Sequence, residues 1–209
     1  MSDNKKSLSV DGQGKFIAIY GINGIGKTTQ VELLVEYLKG QGKNASKLKY
    51  PVYDLEPEGP FIYKYLRDPQ FRKENELSTH KLQKKYAENR MRYEPTLRER
   101  LKNGEWIVAE DYTGTGISWG LTWGGELDYV EDINEDLLKP DLEILMHGSR
   151  FISAIEKDHR NEMDSERITI CKNFHFLLAD RYGWKKINAK RKVEEVQADI
   201  IEKIKGLFK

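Results

Sequence analysis

The sequence predicts an α/β fold of three layers, in which helices cover both faces of a five-stranded parallel sheet. Short apolar runs rich in β-branched residues recur along the 209-residue chain, and segments with helical spacing of apolar residues separate them. Glycine or proline stands at most of the junctions. Strands that alternate with helices in this way form parallel sheets, and the length suits one domain with a small lid.

The predicted elements follow one another in a regular order. The apolar run 15–20 is the first strand, and the helix after it begins near Thr28 and ends at Gly40 and Gly42. We expect Pro95 to kink or divide the longest helix. The other predicted strands cover 45–50, 106–109, 142–146 and 184–187, and the other predicted helices cover 61–66, 79–102, 168–182 and 193–208.

A complete phosphate-binding motif, G-x-x-x-x-G-K-T, lies between the first strand and its helix at 21–28. In such a loop the backbone N–H groups surround phosphate oxygens, a lysine adds positive charge and a threonine hydroxyl is a ligand for Mg²⁺. The sequence therefore predicts the P-loop NTPase fold and binding of ATP and Mg²⁺. The residues expected to contact this cofactor are Asn23, Gly24, Gly26, Lys27, Thr28 and Thr29, with Thr28 as a metal ligand.

Other features favour a small kinase over other P-loop proteins. The N-K-x-D element with which GTPases read their base is missing, and the chain has no room for the second domain of a motor. The polar stretch 148–165 is a predicted lid, in which Arg150 and Arg160 are candidates to stabilise charge on a transferring phosphoryl group. The alternative is a solvated charged loop.

Two adjacent acids, Glu110 and Asp111, end the third strand, where a parallel sheet places its binding residues. An acid there is expected to hold Mg²⁺ or to take the acceptor's proton, so Glu110 is both a catalytic and a metal candidate. Glycines alternate with Trp119 and Trp123 in the segment that follows. We expect a loop that approaches a flat ligand closely, the alternative being packing over the sheet edge.

Composition limits the choice of partners. Lys and Arg number 35 against 34 Asp and Glu, so the net charge is +1 and no overall field selects nucleic acid or membrane. The single cysteine, Cys171, fits a reducing compartment, and the cytoplasm is expected. No apolar run reaches the length of a membrane span. Residues 1–14 are predicted to be a flexible tail that precedes a kinase domain at 15–209.

Four short motifs, in order, resemble those of the thymidylate kinase family, more its eukaryotic and archaeal forms than the bacterial ones. They are the extended P-loop Gly26–Gln30, then Leu48–Pro51 for L-R-F-P, Tyr86–Arg90 for F-S-A-N-R and Lys139–Leu142 for K-P-D-L. The resemblance runs from about Phe16 to the C-terminus. It implies ATP- and Mg²⁺-dependent phosphorylation of dTMP to dTDP in deoxynucleotide synthesis, and a homodimer.

The resemblance also implies roles for residues at the acceptor end. Tyr86 would stack on the nucleobase, and Arg90 would contact the base or the acceptor phosphate. Lys49 would hold the monophosphate, Asn23 would lie near the sugar's 3′-hydroxyl, and Trp119 would lie beneath the deoxyribose. For the two aromatic residues, ordinary core packing is the alternative.

The chain departs from the family pattern around the acceptor. The family's D-R-Y reads Glu110-Asp111-Tyr112, and Lys49 stands where the family has arginine. We expect Glu110 to take the acid's role and the segment as a whole to contact substrate. Because Asp111 replaces a phosphate-attracting charge by a repelling one, two alternatives stay open: a kinase for another deoxynucleoside monophosphate, or an inactive nucleotide-binding homologue.

Overall fold

The computed structural model describes residues 14–151, 156 and 158–208. Five parallel strands form one sheet in the order β2-β3-β1-β4-β5. This confirms the predicted α/β class. The strands are β1 Phe16–Tyr20, β2 Ala45–Lys49, β3 Trp106–Glu110, β4 Leu142–His147 and β5 Lys185–Asn188.

Eight helices are seen in the described part of the chain, and a short 3-10 turn, Lys205–Phe208, ends it. The sequence predicted α1, α2, α4, α7 and α8, whereas α3, α5 and α6 lie in segments where no helix was expected. The helices are α1 Lys27–Gly40, α2 Glu58–Arg67, α3 Pro69–Glu74, α4 Thr79–Lys102, α5 Thr113–Thr122, α6 Leu127–Asp132, α7 Ser165–Tyr182 and α8 Val193–Ile204.

The core lies on both faces of the sheet, as alternate residues of β1 show. Ile17 and Ile19 point into a cluster with Leu34 of α1 and Ile200 of α8. The other β1 residues join a second cluster, which contains Leu97 of α4. Since successive side chains of a strand point to opposite faces, helices cover the sheet on both sides. The predicted three-layer arrangement is confirmed.

One local expectation was wrong, and a second was wrong in one of its two alternatives. The glycine-rich segment after β3 is the helix α5 and not a loop, because close neighbours override the low helix propensity of glycine. A Cβ at Gly120 would lie 2.8 Å from Val130 Cγ1, so a larger residue does not fit there. The longest helix is not divided, since α4 continues through Pro95, and the alternative of a kink at that proline stays a prediction. That proline is exposed, so water can satisfy the carbonyl that it leaves unpaired.

Of the predicted tail 1–14, all but Gly14 lie outside the described residues. Within the described ranges, no helix combines the length and the apolar character that crossing a bilayer requires. The single cysteine, Cys171, is a free and fully buried residue of α7, and burial raises the pKa of its thiol to about 12.

Candidate active site

The phosphate-binding loop joins β1 to α1 at the carboxyl edge of the sheet. Gly26 has φ 92°, a left-handed conformation that favours glycine, and α1 begins at the next residue, Lys27. The helix therefore directs its free N–H groups and its positive dipole end at the loop. The Nζ of Lys27 is buried and donates to the carbonyl oxygens of Gly21 at 2.8 Å and Ile22 at 3.2 Å.

Glu110 and Lys49 meet across two neighbouring strands. They are register partners at the ends of β3 and β2, and Lys49 Nζ donates to Glu110 Oε1 at 3.0 Å. The neighbouring Thr28 hydroxyl also helps to lower the pKa of this carboxyl group. Burial opposes ionisation of Glu110, but Lys27 and Lys49 outweigh it and hold the pKa of Glu110 below its usual range. This acid is therefore ionised at neutral pH.

Asp111 points toward the phosphate-binding loop. Its Oδ1 lies 3.6 Å from Lys27 Nζ and accepts a hydrogen bond from Thr115 Oγ1 at 2.7 Å. The residue has φ 66°, in the left-handed region that aspartate enters more readily than most non-glycine residues. Burial and the neighbouring charge of Glu110 raise the pKa of Asp111. The two adjacent acids thus have pKa values shifted in opposite directions.

A cavity of about 550 Å³ extends from the phosphate-binding loop, over the ends of β2 and β3, to α4 and α5. All the residues predicted for the site line it, with the exception of Arg150. Tyr86 and Arg90 of α4 and Trp119 of α5 all line this space, so residues distant in sequence share one site. Tyr112 is buried and packs on Phe16, with ring centroids 5.0 Å apart.

Arg90 is a buried cation whose partner is a neutral side chain. Its Nη1 donates to Asn134 Oδ1 at 2.8 Å, while its Nε is buried with no hydrogen-bond partner among the described residues. Burial lowers the pKa of Arg90. The guanidinium lies so close to α5 that a Cβ at Gly116 would be 2.2 Å from Arg90 Nη2. A buried guanidinium of this kind is suited to a polar or anionic ligand in the cavity.

Arg160 enters the cavity from the predicted lid, and an indole holds it. Its Cζ lies 3.6 Å from the ring centroid of Trp123, and Cζ of Arg167 lies 3.8 Å from the same ring. Trp123 Nε1 donates to Asn161 Oδ1 at 3.3 Å. No carboxylate pairs with Arg160 in the described part of the chain, and burial lowers its pKa. Its donors are therefore available to an anion.

The two ends of the predicted lid contact the phosphate-binding loop. Phe151 donates its backbone N–H to the carbonyl of Gly24 at 2.7 Å, and Asn23 Nδ2 donates to Glu162 Oε1 at 2.8 Å. Arg150 is directed at Glu162, since its Nη1 donates to that residue's carbonyl at 3.0 Å. The catalytic role predicted for Arg150 stays a prediction, and lid residues 152–155 and 157 lie outside the described residues.

Several further polar residues line the cavity and were not predicted, among them Gln83, Arg67 and Arg191. Gln83 lies on the same face of α4 as Tyr86 and Arg90, and that spacing was the available signal. Arg67 forms two hydrogen bonds with Glu156, at 2.5 and 3.0 Å. Arg191 follows β5 and also lines the cavity. Nothing in the sequence distinguishes these two arginines from surface cations.

The fold and the site define a P-loop kinase of the nucleoside monophosphate type. The chain belongs to the thymidylate kinase family, whose model, described as "Thymidylate kinase", matches residues 19–200. This confirms the resemblance found in the motifs.

Individual relatives cover nearly the whole chain. It is 28% identical to the thymidylate kinase of Plasmodium falciparum (isolate 3D7), over 98% of this chain and 93% of that one. It is 28% identical to the human thymidylate kinase, over 90% of this chain and 88% of that one. A solved structure of thymidylate kinase from Candida albicans matches with a TM-score of 0.77 at 20% identity, over 92% of each chain.

Proposed function

We propose that this protein transfers the γ-phosphoryl group of ATP to dTMP and releases dTDP and ADP, with Mg²⁺ as the metal. One observation carries the proposal. A single cavity joins the phosphate-binding Lys27 and the ionised Glu110 to Arg90 and Arg160, two arginines that have no carboxylate partner in the described part of the chain. Such a cavity suits a ligand with phosphate at its centre and a base at its far end.

The donor set at the phosphate-binding loop fits Mg²⁺. The hydroxyl of Thr28 and the carboxylate of Glu110 are neighbours on the cavity, and both offer the hard oxygen ligands that this ion takes. When bound, the metal neutralises charge on the phosphate oxygens. Apolar Val193 and Ala189, beyond the loop, line the part of the cavity that would receive the donor's adenine.

The chain's own residues supply positioning and charge. Lys27 would leave the carbonyls of Gly21 and Ile22 to bind the donor phosphates, and Arg160 would bond the transferring group from the lid. Tyr86 and Trp119 would hold the acceptor base and sugar. The attacking atom is an oxygen of a phosphate whose second pKa is about 6, so it is largely deprotonated at neutral pH. Glu110 then orients the acceptor through Lys49 and need not remove a proton.

A second candidate is a kinase for another deoxynucleoside monophosphate. It is favoured by Asp111 and Lys49, which stand where the family has arginine. An inactive nucleotide-binding homologue is opposed by the complete donor site, in which Lys27, Thr28 and Glu110 line one cavity. We also expect a homodimer that acts in the cytoplasm, as the family resemblance implies.

The test is conversion of dTMP to dTDP by the purified protein with ATP and Mg²⁺. Glu110→Gln removes the charge that faces Lys49 and the metal, and it should lower kcat by about 100-fold or more. Glu32→Gln, which alters an exposed ion pair with Lys47, is the matched control and should retain wild-type activity. Absence of dTDP with the wild-type protein would reject the proposal.

A further inference from the structure

Gln83 is a buried polar residue at the acceptor end of the cavity. Its side chain is 3% exposed, and it lines the cavity together with Tyr86 and Arg90. These residues stand three and seven positions further along α4, so all three lie on one face of the helix. Gln83 is therefore one turn from the predicted base-stacking residue.

The carboxamide of Gln83 has no hydrogen bond to another described residue. A buried amide without a partner destabilises the folded protein, so a site of this kind persists where water or a ligand completes it. Neither of its polar atoms is sealed from the cavity, in contrast to Nε of Arg90. The amide is thus directed at the space that the acceptor would occupy.

Packing holds the side chain in this direction. A Cβ at Gly120 of α5 would lie 3.3 Å from Gln83 Cγ and 3.4 Å from its Cδ, so the side chain lies directly against that glycine. Contact with α5 leaves the amide little freedom to turn away from the cavity. A preorganised polar group of this kind contributes to specificity, because a ligand that fails to pair with it leaves it unsatisfied.

We propose that Gln83 reads the base edge of the acceptor nucleotide. An amide both donates and accepts, whereas the guanidinium of Arg90 only donates. A thymine presents carbonyl oxygens on either side of one N–H group. Arg90 suits a carbonyl oxygen, and Gln83 suits the N–H beside it. In cytosine an amino group replaces one of these carbonyl oxygens, and an unprotonated nitrogen replaces the N–H group. The amino group would then place a hydrogen-bond donor opposite Arg90, which is itself only a donor. The inference rests on the proposed function and adds a residue that sets its base specificity.

The test compares wild-type protein with Gln83→Met, which keeps length and bulk and removes the amide. Steady-state kcat and KM are measured with dTMP, dUMP and dCMP at saturating ATP. We expect KM for dTMP to rise about 10- to 100-fold, KM for ATP to stay unchanged, and the preference for dTMP over dCMP to fall. Gln70→Leu, on the exposed face of α3, is the control and should match wild type.

Gln83→Glu is the second variant, because it keeps the acceptor and removes the donor. It should show a smaller rise in KM for dTMP than Gln83→Met does, and this order separates base reading from helix packing. Unchanged KM and unchanged selectivity in both variants, with an active wild type, would overturn the role of Gln83. An inactive wild type would instead reject the proposed function. Thermal unfolding of each variant identifies a loss of fold.

Discussion

Lys27 and Asp111 form a close ion pair inside the candidate active site, with Nζ and Oδ1 3.6 Å apart and side-chain exposures of 5% and 14%. Asp111, which stands where the family has arginine, therefore faces Lys27 of the phosphate-binding loop. This position changes the expected effect of the substitution. Asp111 is placed to compete with the donor phosphates for Lys27, in addition to any repulsion of the acceptor phosphate.

The competition predicts that Asp111→Asn binds ATP more tightly. Asparagine tolerates the left-handed backbone at this position and can still accept a hydrogen bond from Thr115, while the buried negative charge is lost. We expect Kd for ATP without Mg²⁺ to fall about 3- to 10-fold by calorimetry. Asp128→Asn, an exposed substitution in α6, serves as the control. Weaker ATP binding by Asp111→Asn would contradict the competition and show that this carboxylate contributes to nucleotide binding.

Gly116→Ala should weaken acceptor binding. The new Cβ would lie 2.2 Å from Arg90 Nη2, so the guanidinium must leave its place beside α5 and shift within the cavity that it lines. We expect KM for the acceptor to rise about 10- to 100-fold, while KM for ATP stays constant. Gly40→Ala is the matched control, because no atom lies within 4 Å of the position that its Cβ would take. Equal acceptor KM values in both variants would contradict the role of Arg90.

Trp123 is predicted to position Arg160. Replacing the indole by leucine removes the surface on which Arg160 and Arg167 stack, at 3.6 and 3.8 Å. We expect Trp123→Leu to lower kcat about 10-fold and Arg160→Met to lower it further. In the double variant the leucine should add nothing, since its effect acts through Arg160. Additive losses in kcat would mean that Trp123 acts by another route.

Because His175 is buried, we expect the folded protein to lose stability in mild acid. It is fully buried in α7, and burial lowers its pKa from 6.5 to about 4. The imidazole of His175 therefore takes up a proton at higher pH in the unfolded chain than in the folded one. The free energy of unfolding keeps its full value above pH 6.5 and decreases as the pH falls toward 4. A pKa difference of about 2.5 corresponds to roughly 3 kcal/mol.

Urea unfolding at several pH values between 7.5 and 4.5 measures this effect. His175→Phe fills the same space without a titrating group, so its free energy of unfolding should fall less over that interval than that of wild type. His80→Gln, which changes an exposed histidine, should follow the wild-type curve. Parallel curves for wild type and His175→Phe would contradict the prediction.

The donor half of the site was predictable because its signals are local. The motif 21–28, the strand before it and the helix after it are contiguous in sequence. The acids at the end of β3 were predictable for a similar reason, since the carboxyl ends of parallel strands meet at one edge. The pairing of Glu110 with Lys49 follows from the register of β2 and β3.

The features of the fold and of the site that the sequence did not predict depend on contacts between segments distant in sequence. Glycine has a low helix propensity, so α5 could not be predicted without the helices that pack on it. Burial of Gln83 depends on the approach of Gly120, and the stacking of Arg160 on Trp123 joins residues from different elements. The direction of Asp111 follows from its backbone conformation, which sequence patterns do not report.

The most direct measurement is an acceptor panel with the purified wild-type protein. ATP and Mg²⁺ are supplied with dTMP, dUMP, dCMP, dGMP or dAMP at equal concentration, and kcat/KM is determined for each diphosphate formed. The account predicts dTDP formation with the highest kcat/KM for dTMP and a lower value for dCMP. A higher kcat/KM for a purine nucleotide or dCMP, or no turnover of any acceptor, would contradict it.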